Sequence, residues 1–141
     1  MTLLQLVYTS RATERFNDRD LPSLVATART HNDRVGITGA LHFSDGRFIQ
    51  VLEGAETDVV SLYEIFVTDP RHTEVETVSR RIVGERGFGE WRMGHLPRGL
   101  VINAGRDALR VSRTPVAGWD DTEVDAILTE FRRALVSSSG V

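Results

Sequence analysis

Apolar residues in the first two thirds of the chain follow the short period that is typical of β-strands in several places. Residues 3–9 form a nearly continuous apolar run, which is usual for a central strand. Residues 39–43 and 47–53 flank the turn-forming sequence Ser44-Asp45-Gly46, so we predict a β-hairpin there. Alternation over residues 73–83 predicts a fourth strand, and a short fifth strand is predicted over residues 90–94.

Two other stretches place apolar residues three and four positions apart, as an amphipathic helix does. The first runs from Leu21 to about Thr30, with Asp18 or Asp20 as a candidate N-cap. The second runs over residues 57–67 and is stopped by Asp69-Pro70. The resulting order predicts an α+β, ferredoxin-like βαββαββ fold, with a five-stranded mixed sheet and two helices on one face.

The last third of the chain forms a C-terminal helical appendage in this interpretation. We assign residues 1–95 to the core and residues 96–141 to an extension that is irregular at first, with a possible helical turn near 106–109. A helix is predicted over residues 121–136, followed by a frayed tail. Its apolar stripe must be buried either on the uncovered back face of the sheet or on a partner protein; the stripe comprises Val124, Ile127, Leu128, Phe131 and Leu135.

One polar residue interrupts the apolar face of the hairpin. The two-residue period places Gln50 on the same face as its large apolar neighbours Phe48 and Leu52. A glutamine there is either a core residue whose polar atoms are hydrogen-bonded within the protein or a functional polar group of a pocket. The same face is predicted to carry Tyr8 and, from the fifth strand, Trp91 with Met93, while Asn32 follows the first helix.

Composition excludes several kinds of chemistry. The 141 residues include no cysteine, and all 17 basic residues are arginine, so thiolate catalysis, disulfides and lysine Schiff bases are excluded. A net charge of −3 argues against nucleic acid and anionic membranes as partners. The four histidines lack metal-ligand spacing, and we expect His42, His72 and His95 at the surface or rim. The N-terminus lacks signal-peptide features, which predicts a cytoplasmic protein.

Five motifs follow one another over about residues 2–95. They are Leu-Val-Tyr8-Thr-Ser10; His31-Asn32 with Gly36-Ile-Thr-Gly39-Ala-Leu41; Gly46-Arg-Phe48-Ile-Gln50-Val-Leu-Glu-Gly54; Asp69-Pro-Arg71-His72; and Phe88-Gly-Glu-Trp91-Arg-Met93. In this order and at these spacings, the motifs together resemble the BLUF domain, the blue-light sensor that uses flavin.

The resemblance implies a non-covalently bound flavin between the two helices, FAD or else FMN. Tyr8 and Gln50 would carry the photochemistry, in which Tyr8 gives up an electron and a proton and the hydrogen bonds of Gln50 rearrange. Trp91, Met93 and Ser10 would relay the signal. The cofactor would be bound by polar residues and apolar walls, namely Asn32, His31, Arg71, Asp69, Leu24, Leu41, Phe48 and Phe66.

In this interpretation the protein is a sensor and not an enzyme. It would pass a reversible, red-shifted signalling state to a separate effector protein, and it would form a homo-oligomer. Two other classes stay open on the sequence alone. One is a small ferredoxin-like enzyme that works with His31 and Arg71, and the other is a light-independent interaction module that binds through the sheet back and the last helix.

Overall fold

The computed structural model describes residues 2–44, 46–89, 91, 93–95 and 121–139. Four full strands and three helices alternate as the hydrophobic pattern predicts. The expected helical turn near 106–109 and the irregular region around it lie outside the described residues. The elements are β1 (Leu3–Ala12), α1 (Leu21–Val35), β2 (Thr38–Ser44), β3 (Arg47–Gly54), α2 (Glu56–Thr68), β4 (His72–Val83) and α3 (Asp121–Ser139).

The four strands form an antiparallel sheet in the order β4, β1, β3, β2. The prediction of a short fifth strand over residues 90–94 is wrong in its bounds, because among the described residues of this region only Gly94–His95 pairs as a strand, in parallel, with β2. A turn precedes this short segment. The Trp91 amide donates to the Phe88 carbonyl at 3.0 Å, and the Trp91 carbonyl accepts from the Gly39 amide at 3.0 Å. Regular pairing with β2 therefore begins at Gly94.

Helices α1 and α2 cover one face of the sheet, the front face, as predicted. The even-numbered residues of β1 and β3 supply this core, which confirms the predicted orientation of Leu4, Leu6 and Tyr8. Leu21 and Val25 of α1 and Val59 and Leu62 of α2 are buried against them.

Helix α3 covers the opposite face, the back face. Of the two places left open for its apolar stripe, the structure selects the sheet, because all five stripe residues are buried in one cluster with Val7, Ala40, Ile49 and Val51. An ion pair between Arg81 of β4 and Asp125 of α3 adds a polar contact at the margin. Among the described residues, no helix has the length and apolar character required to cross a membrane.

Helix α1 is longer than the sequence pattern predicted, and this places two candidate residues inside it. Asp20 precedes the helix without a side-chain capping bond, and a short 3-10 turn covers Asp18–Asp20. The helix ends at Val35 and is capped by Gly36, whose φ of +75° is the left-handed conformation that glycine adopts readily. His31 and Asn32 therefore lie in the last turn of α1 and not beyond it.

The close pairing of β2 with β3 predicts that Gly39 tolerates no side chain. A Cβ atom at this position would overlap the carbonyl oxygen of Val51, a backbone atom that cannot move aside without displacing β3. We expect Gly39→Ala to lower the free energy of unfolding by about 3 kcal/mol, measured by urea denaturation. Gly84→Ala is the matched control, because a Cβ there has no neighbour within 4 Å. Equal stability of the two variants would contradict the described pairing.

Candidate functional site

Tyr8 and Gln50 form a buried hydrogen-bonded pair at the centre of the front face. Their Cα atoms are partners in the register of β1 and β3, and the side chains are 1% and 5% exposed. The Tyr8 hydroxyl donates to Oε1 of Gln50, and Nε2 of Gln50 donates to Sδ of Met93 at 3.5 Å. Both ends of the Gln50 carboxamide are thus engaged, one by a phenol and the other by a thioether.

The surroundings of Tyr8 keep its phenol protonated. The rings of Tyr63 and Phe66, both from α2, lie 5.2 and 5.9 Å from the Tyr8 ring. Burial raises the pKa of Tyr8 well above its usual value, and the nearby Tyr63 adds to the effect. Because the phenolate is disfavoured in this apolar setting, Tyr8 remains a hydrogen-bond donor over the whole neutral range.

A cleft of about 200 Å³ opens between α1 and α2. Its walls are mainly apolar, and its rim carries imidazole, carboxylate and guanidinium groups. A smaller cavity of about 20 Å³ shares part of these walls and ends at Gln50. The cleft is lined by Leu24, Thr27, Ala28, His31, Leu62, Ile65, Phe66, Asp69 and Arg71, and the inner cavity by Leu24, Ala28, Leu41, Phe48, Gln50, Phe66 and His72.

The four predicted apolar wall residues therefore divide between two adjoining spaces. Leu24 and Phe66 line both the cleft and the inner cavity, whereas Leu41 and Phe48 line the inner cavity. The two spaces share the side chains of Leu24, Ala28 and Phe66 as walls, and the Gln50 carboxamide lines the inner one.

The polar rim is organised by Asp69 and Arg71, directly after α2. The Arg71 guanidinium donates to both carboxylate oxygens of Asp69, at 2.7 to 3.1 Å. Hydrogen bonding from Arg71 lowers the pKa of Asp69, and the same contact raises the pKa of Arg71. The pair stays ionised at neutral pH and fixes the arginine at the mouth of the cleft.

His72 is the residue that the sequence interpretation misplaced most clearly. The expected position is the surface or rim, but His72 is buried and lines the inner cavity beside Gln50. Nδ1 of His72 lies 3.3 Å from the hydroxyl of Ser10, and Nε2 lies 3.9 Å from Asp69. Burial lowers the pKa of His72. No local sequence pattern indicates this position, because it follows from the pairing of β4 with β1.

The structure also gives the positions of Asn32 and His42. Asn32 is fully buried in the last turn of α1, and its backbone carbonyl accepts from the Ile37 amide at 2.9 Å. His42, which we expect near the surface, is instead buried on the back face, with its ring 6.1 Å from that of Phe131. The side chain of His95 lies outside the described residues.

Trp91 and Met93 lie on opposite faces of the sheet, which corrects the prediction that both face the helices. Met93 is buried in the front core and contacts Gln50. Trp91 is partly buried against the back-face cluster, 6.2 Å from the Phe88 ring. The Trp91 amide bonds to the Phe88 carbonyl as in a turn, so strand alternation from Met93 does not predict the side of Trp91.

A family model and several known proteins match this chain. The family model is described as "BLUF: Sensors of blue-light using FAD" and matches residues 3–94. Photoactivated adenylate cyclase subunit beta from Euglena longa is 40% identical over 93 residues, or 65% of this chain. That match covers 11% of the relative, so this chain spans about a tenth of the length of such relatives.

Two solved structures share the fold over nearly the whole chain. The dark-state structure of BlrB, a BLUF protein, has a TM-score of 0.71 at 26% identity and covers 96% of both chains. Klebsiella pneumoniae BlrP1 with FMN and cyclic diGMP has a TM-score of 0.64 at 29% identity. That match covers 97% of this chain and 34% of BlrP1.

The raised pKa of Tyr8 predicts a loss of stability in alkali. The unfolded chain releases the phenolic proton near pH 10, whereas folded Tyr8 retains it, so stability is complete below pH 10 and falls as pH rises. The expected slope from Tyr8 is up to about 1.4 kcal/mol per pH unit above 10. Urea denaturation between pH 9 and 11 measures it, and the absence of lysine and cysteine simplifies the background.

Tyr8→Phe should remove this slope, while Tyr63→Phe serves as the matched control and should keep it. Tyr63 is the other tyrosine of the chain, and its hydroxyl lies 3.1 Å from that of Thr77. Parallel stability curves for the parent protein and Tyr8→Phe would disprove the assignment.

Proposed function

Because this chain belongs to the BLUF family of blue-light sensors using FAD, we propose that it is a photoreceptor whose Tyr8–Gln50 pair converts light into altered hydrogen bonding. The observation that carries the proposal is the Gln50 carboxamide, which is hydrogen-bonded to a buried phenol and lines an inner cavity that shares apolar walls with the cleft. Among the described residues of this cleft, no group resembles an activated nucleophile.

The residues around the cleft fit a flavin. An isoalloxazine ring is planar, with apolar faces and a hydrogen-bonding edge, so it requires apolar walls and a few convergent polar groups. Leu24 and Phe66 offer the walls, and Arg71 offers a fixed cationic donor at the rim. In this proposal His31 and Asp69 complete the rim, and Asn32 holds the polar edge of the ring.

We propose FAD as the flavin, since the family description names it. FMN is the alternative, because the similar structure of BlrP1 was solved with FMN. The two cofactors share the isoalloxazine ring, so the roles of Tyr8 and Gln50 are the same with either. Chromatography of the flavin that is released from protein loaded with an equimolar mixture distinguishes the two.

The proposed chemistry begins at Tyr8. A bound flavin supplies blue-light absorption and, once excited, a strong one-electron oxidant. Tyr8 is suited to respond, because its protonated phenol can lose an electron while its proton moves toward Oε1 of Gln50. The electron and the proton of Tyr8 then move only to neighbouring groups. No covalent bond between protein and cofactor is required.

Gln50 is suited to retain the light-induced change as a rearranged set of hydrogen bonds. Its amide presents an acceptor and a donor of nearly equal size, so rotation or tautomerisation reverses its hydrogen bonds without repacking the core. One consequence is that the bond from Nε2 to Met93 is exchanged. One or two rearranged hydrogen bonds are worth roughly 1–3 kcal/mol, which shifts a two-state equilibrium by about ten- to a hundredfold.

The output of the sensor lies outside the matched region in our proposal. We propose that residues 96–141 act as an output element, that Ser10, Trp91 and Met93 relay the change, and that a separate effector protein reads it. The Euglena relative is named for adenylate cyclase activity, but this chain matches only 11% of it. We therefore propose a non-enzymatic, cytoplasmic sensor that works as a homo-oligomer.

The enzyme alternative has less support from the site. It relies on His31 and Arg71, which both line the cleft, but the described lining offers no activated nucleophile for them to assist. Turnover in darkness by a colourless protein would favour the alternative.

Blue light should produce a reversible red shift in the absorption of the flavin-loaded protein. Gln50→Leu should retain flavin and lose the shift, because the side chain keeps its size and loses both hydrogen-bonding groups. Tyr8→Phe should do the same through loss of the donor. Absorption spectra before and after illumination are the measurement.

Tyr63→Phe is the matched control for these spectra, since its ring lies beside Tyr8 but its hydroxyl is near Thr77. It should keep the shift. A protein that remains colourless after reconstitution with FAD or FMN would refute the proposal as a whole, whereas an undiminished shift in Tyr8→Phe would exclude only that residue.

Arg71→Ala should weaken flavin binding by about tenfold, the effect expected from losing a charged hydrogen-bond donor. Fluorescence titration of the flavin-free protein with FAD measures the dissociation constant. Arg80→Ala is the control on the same side of the sheet, because Arg80 is about half exposed and lies outside the cleft lining. Equal dissociation constants for the two variants would remove Arg71 from the binding site.

A further inference from the structure

Met93 is held at two atoms by two different elements. Its sulfur accepts from Nε2 of Gln50 on β3 at 3.5 Å. Its backbone carbonyl accepts from Nε of Arg29 on α1 at 3.0 Å. Hydrogen bonds therefore link Tyr8 to Gln50 and Gln50 to the Met93 side chain, and a further bond links the Met93 backbone to Arg29 on the helix that forms one wall of the cleft.

The backbone on either side of Met93 is fixed by the sheet. The Trp91 carbonyl accepts from the Gly39 amide at 3.0 Å, and Gly94 pairs with Ala40 of β2. On the back face, Gly94 lies so close to α3 that a Cβ atom there would be 2.6 Å from Leu135. A movement of the Met93 backbone away from Gln50 would therefore shift Trp91 and Gly94 against β2, and Gly94 against α3 as well.

Arg29 is placed to resist that movement. It follows Ala28, which lines both the cleft and the inner cavity, and the helical turn directs the next residue away from the cleft toward Met93. Its guanidinium is a permanently charged donor, which forms a stronger hydrogen bond to a carbonyl than a neutral donor does. The backbone of Arg29 lies in α1, so the bond ties the cleft wall to the segment that carries Met93.

We propose that Arg29 is a positioning residue that holds Met93 on Gln50 in the dark state and thereby sets the lifetime of the light state. This inference rests on the photoreceptor function proposed above. When the hydrogen bonds of Gln50 rearrange, the sulfur contact of Met93 is exchanged, and the Arg29 bond favours the return of Met93. Without that bond, the dark arrangement is less favoured and recovery slows.

The experiment compares Arg29→Gln, Arg29→Lys and Arg34→Gln in the flavin-loaded full chain. Arg34 is the matched control, because it is an exposed arginine in the last turn of the same helix. Three quantities are measured: the rate of thermal recovery after blue light, the melting temperature, and hydrogen exchange of the Gly39 amide in darkness. Exchange of the Gly39 amide shows whether Trp91 stays bonded to β2, because this amide donates to the Trp91 carbonyl.

Arg29→Gln should retain the red shift and slow recovery about fivefold, the effect of one hydrogen bond of typical net strength. Its Gly39 amide should exchange at least about threefold faster, since the Trp91 carbonyl is held less firmly. Arg29→Lys keeps a cationic donor and should restore most of the recovery rate. Arg34→Gln should match the parent protein in all three measurements.

Recovery of Arg29→Gln within twofold of Arg34→Gln would overturn the proposal, as would a slow recovery that Arg29→Lys does not correct. A fall of melting temperature with unchanged recovery would assign Arg29 to stability alone and also overturn it. If the parent protein shows no red shift, the proposed photoreceptor function fails. The Gly39 exchange in darkness then still tests whether Arg29 holds the segment.

Discussion

The register between β1 and β3 is the constraint on which the site depends. It places Tyr8 opposite Gln50, on the face that α1 and α2 cover. Because side chains alternate across a strand, a slip of one residue would move Gln50 to the back face and bring Ile49 or Val51 into its place. The apolar residues of both faces prevent such a slip, since it would expose or misplace two hydrophobic clusters at once.

The segment that carries Met93 connects the two faces of the sheet. The Met93 side chain contacts Gln50 on the front, and Gly94 packs on Leu135 of α3 at the back. Few residues separate the Gln50 carboxamide from the C-terminal helix along this path. This short segment therefore offers one route by which an exchange of hydrogen bonds at Gln50 can reach α3, beside the direct packing of Ile49 and Val51 on that helix.

A buried carboxylate beneath the back face fixes the loop that leads into this segment. Glu53 is fully buried and accepts from the backbone amides of Gly87 and Phe88, each at 2.8 Å, and from Gln5 at 3.0 Å. Gln5 in turn accepts from Arg81, which pairs with Asp125 of α3. A charged residue in this position stays buried because its oxygens are satisfied by donors from several elements.

The sequence by itself determined the strand and helix order, the facing of β1 and β3, the apolar stripe of α3 and the family, because these follow from periodicity and local motifs. It could not locate the residues whose positions depend on long-range contacts. His72 is buried by packing against Gln50 and Phe48, Trp91 is turned to the back face by a local turn, and Arg29 reaches Met93 across 64 residues. Only the tertiary structure decides such contacts, since no local pattern records which partner a side chain meets once the chain is folded.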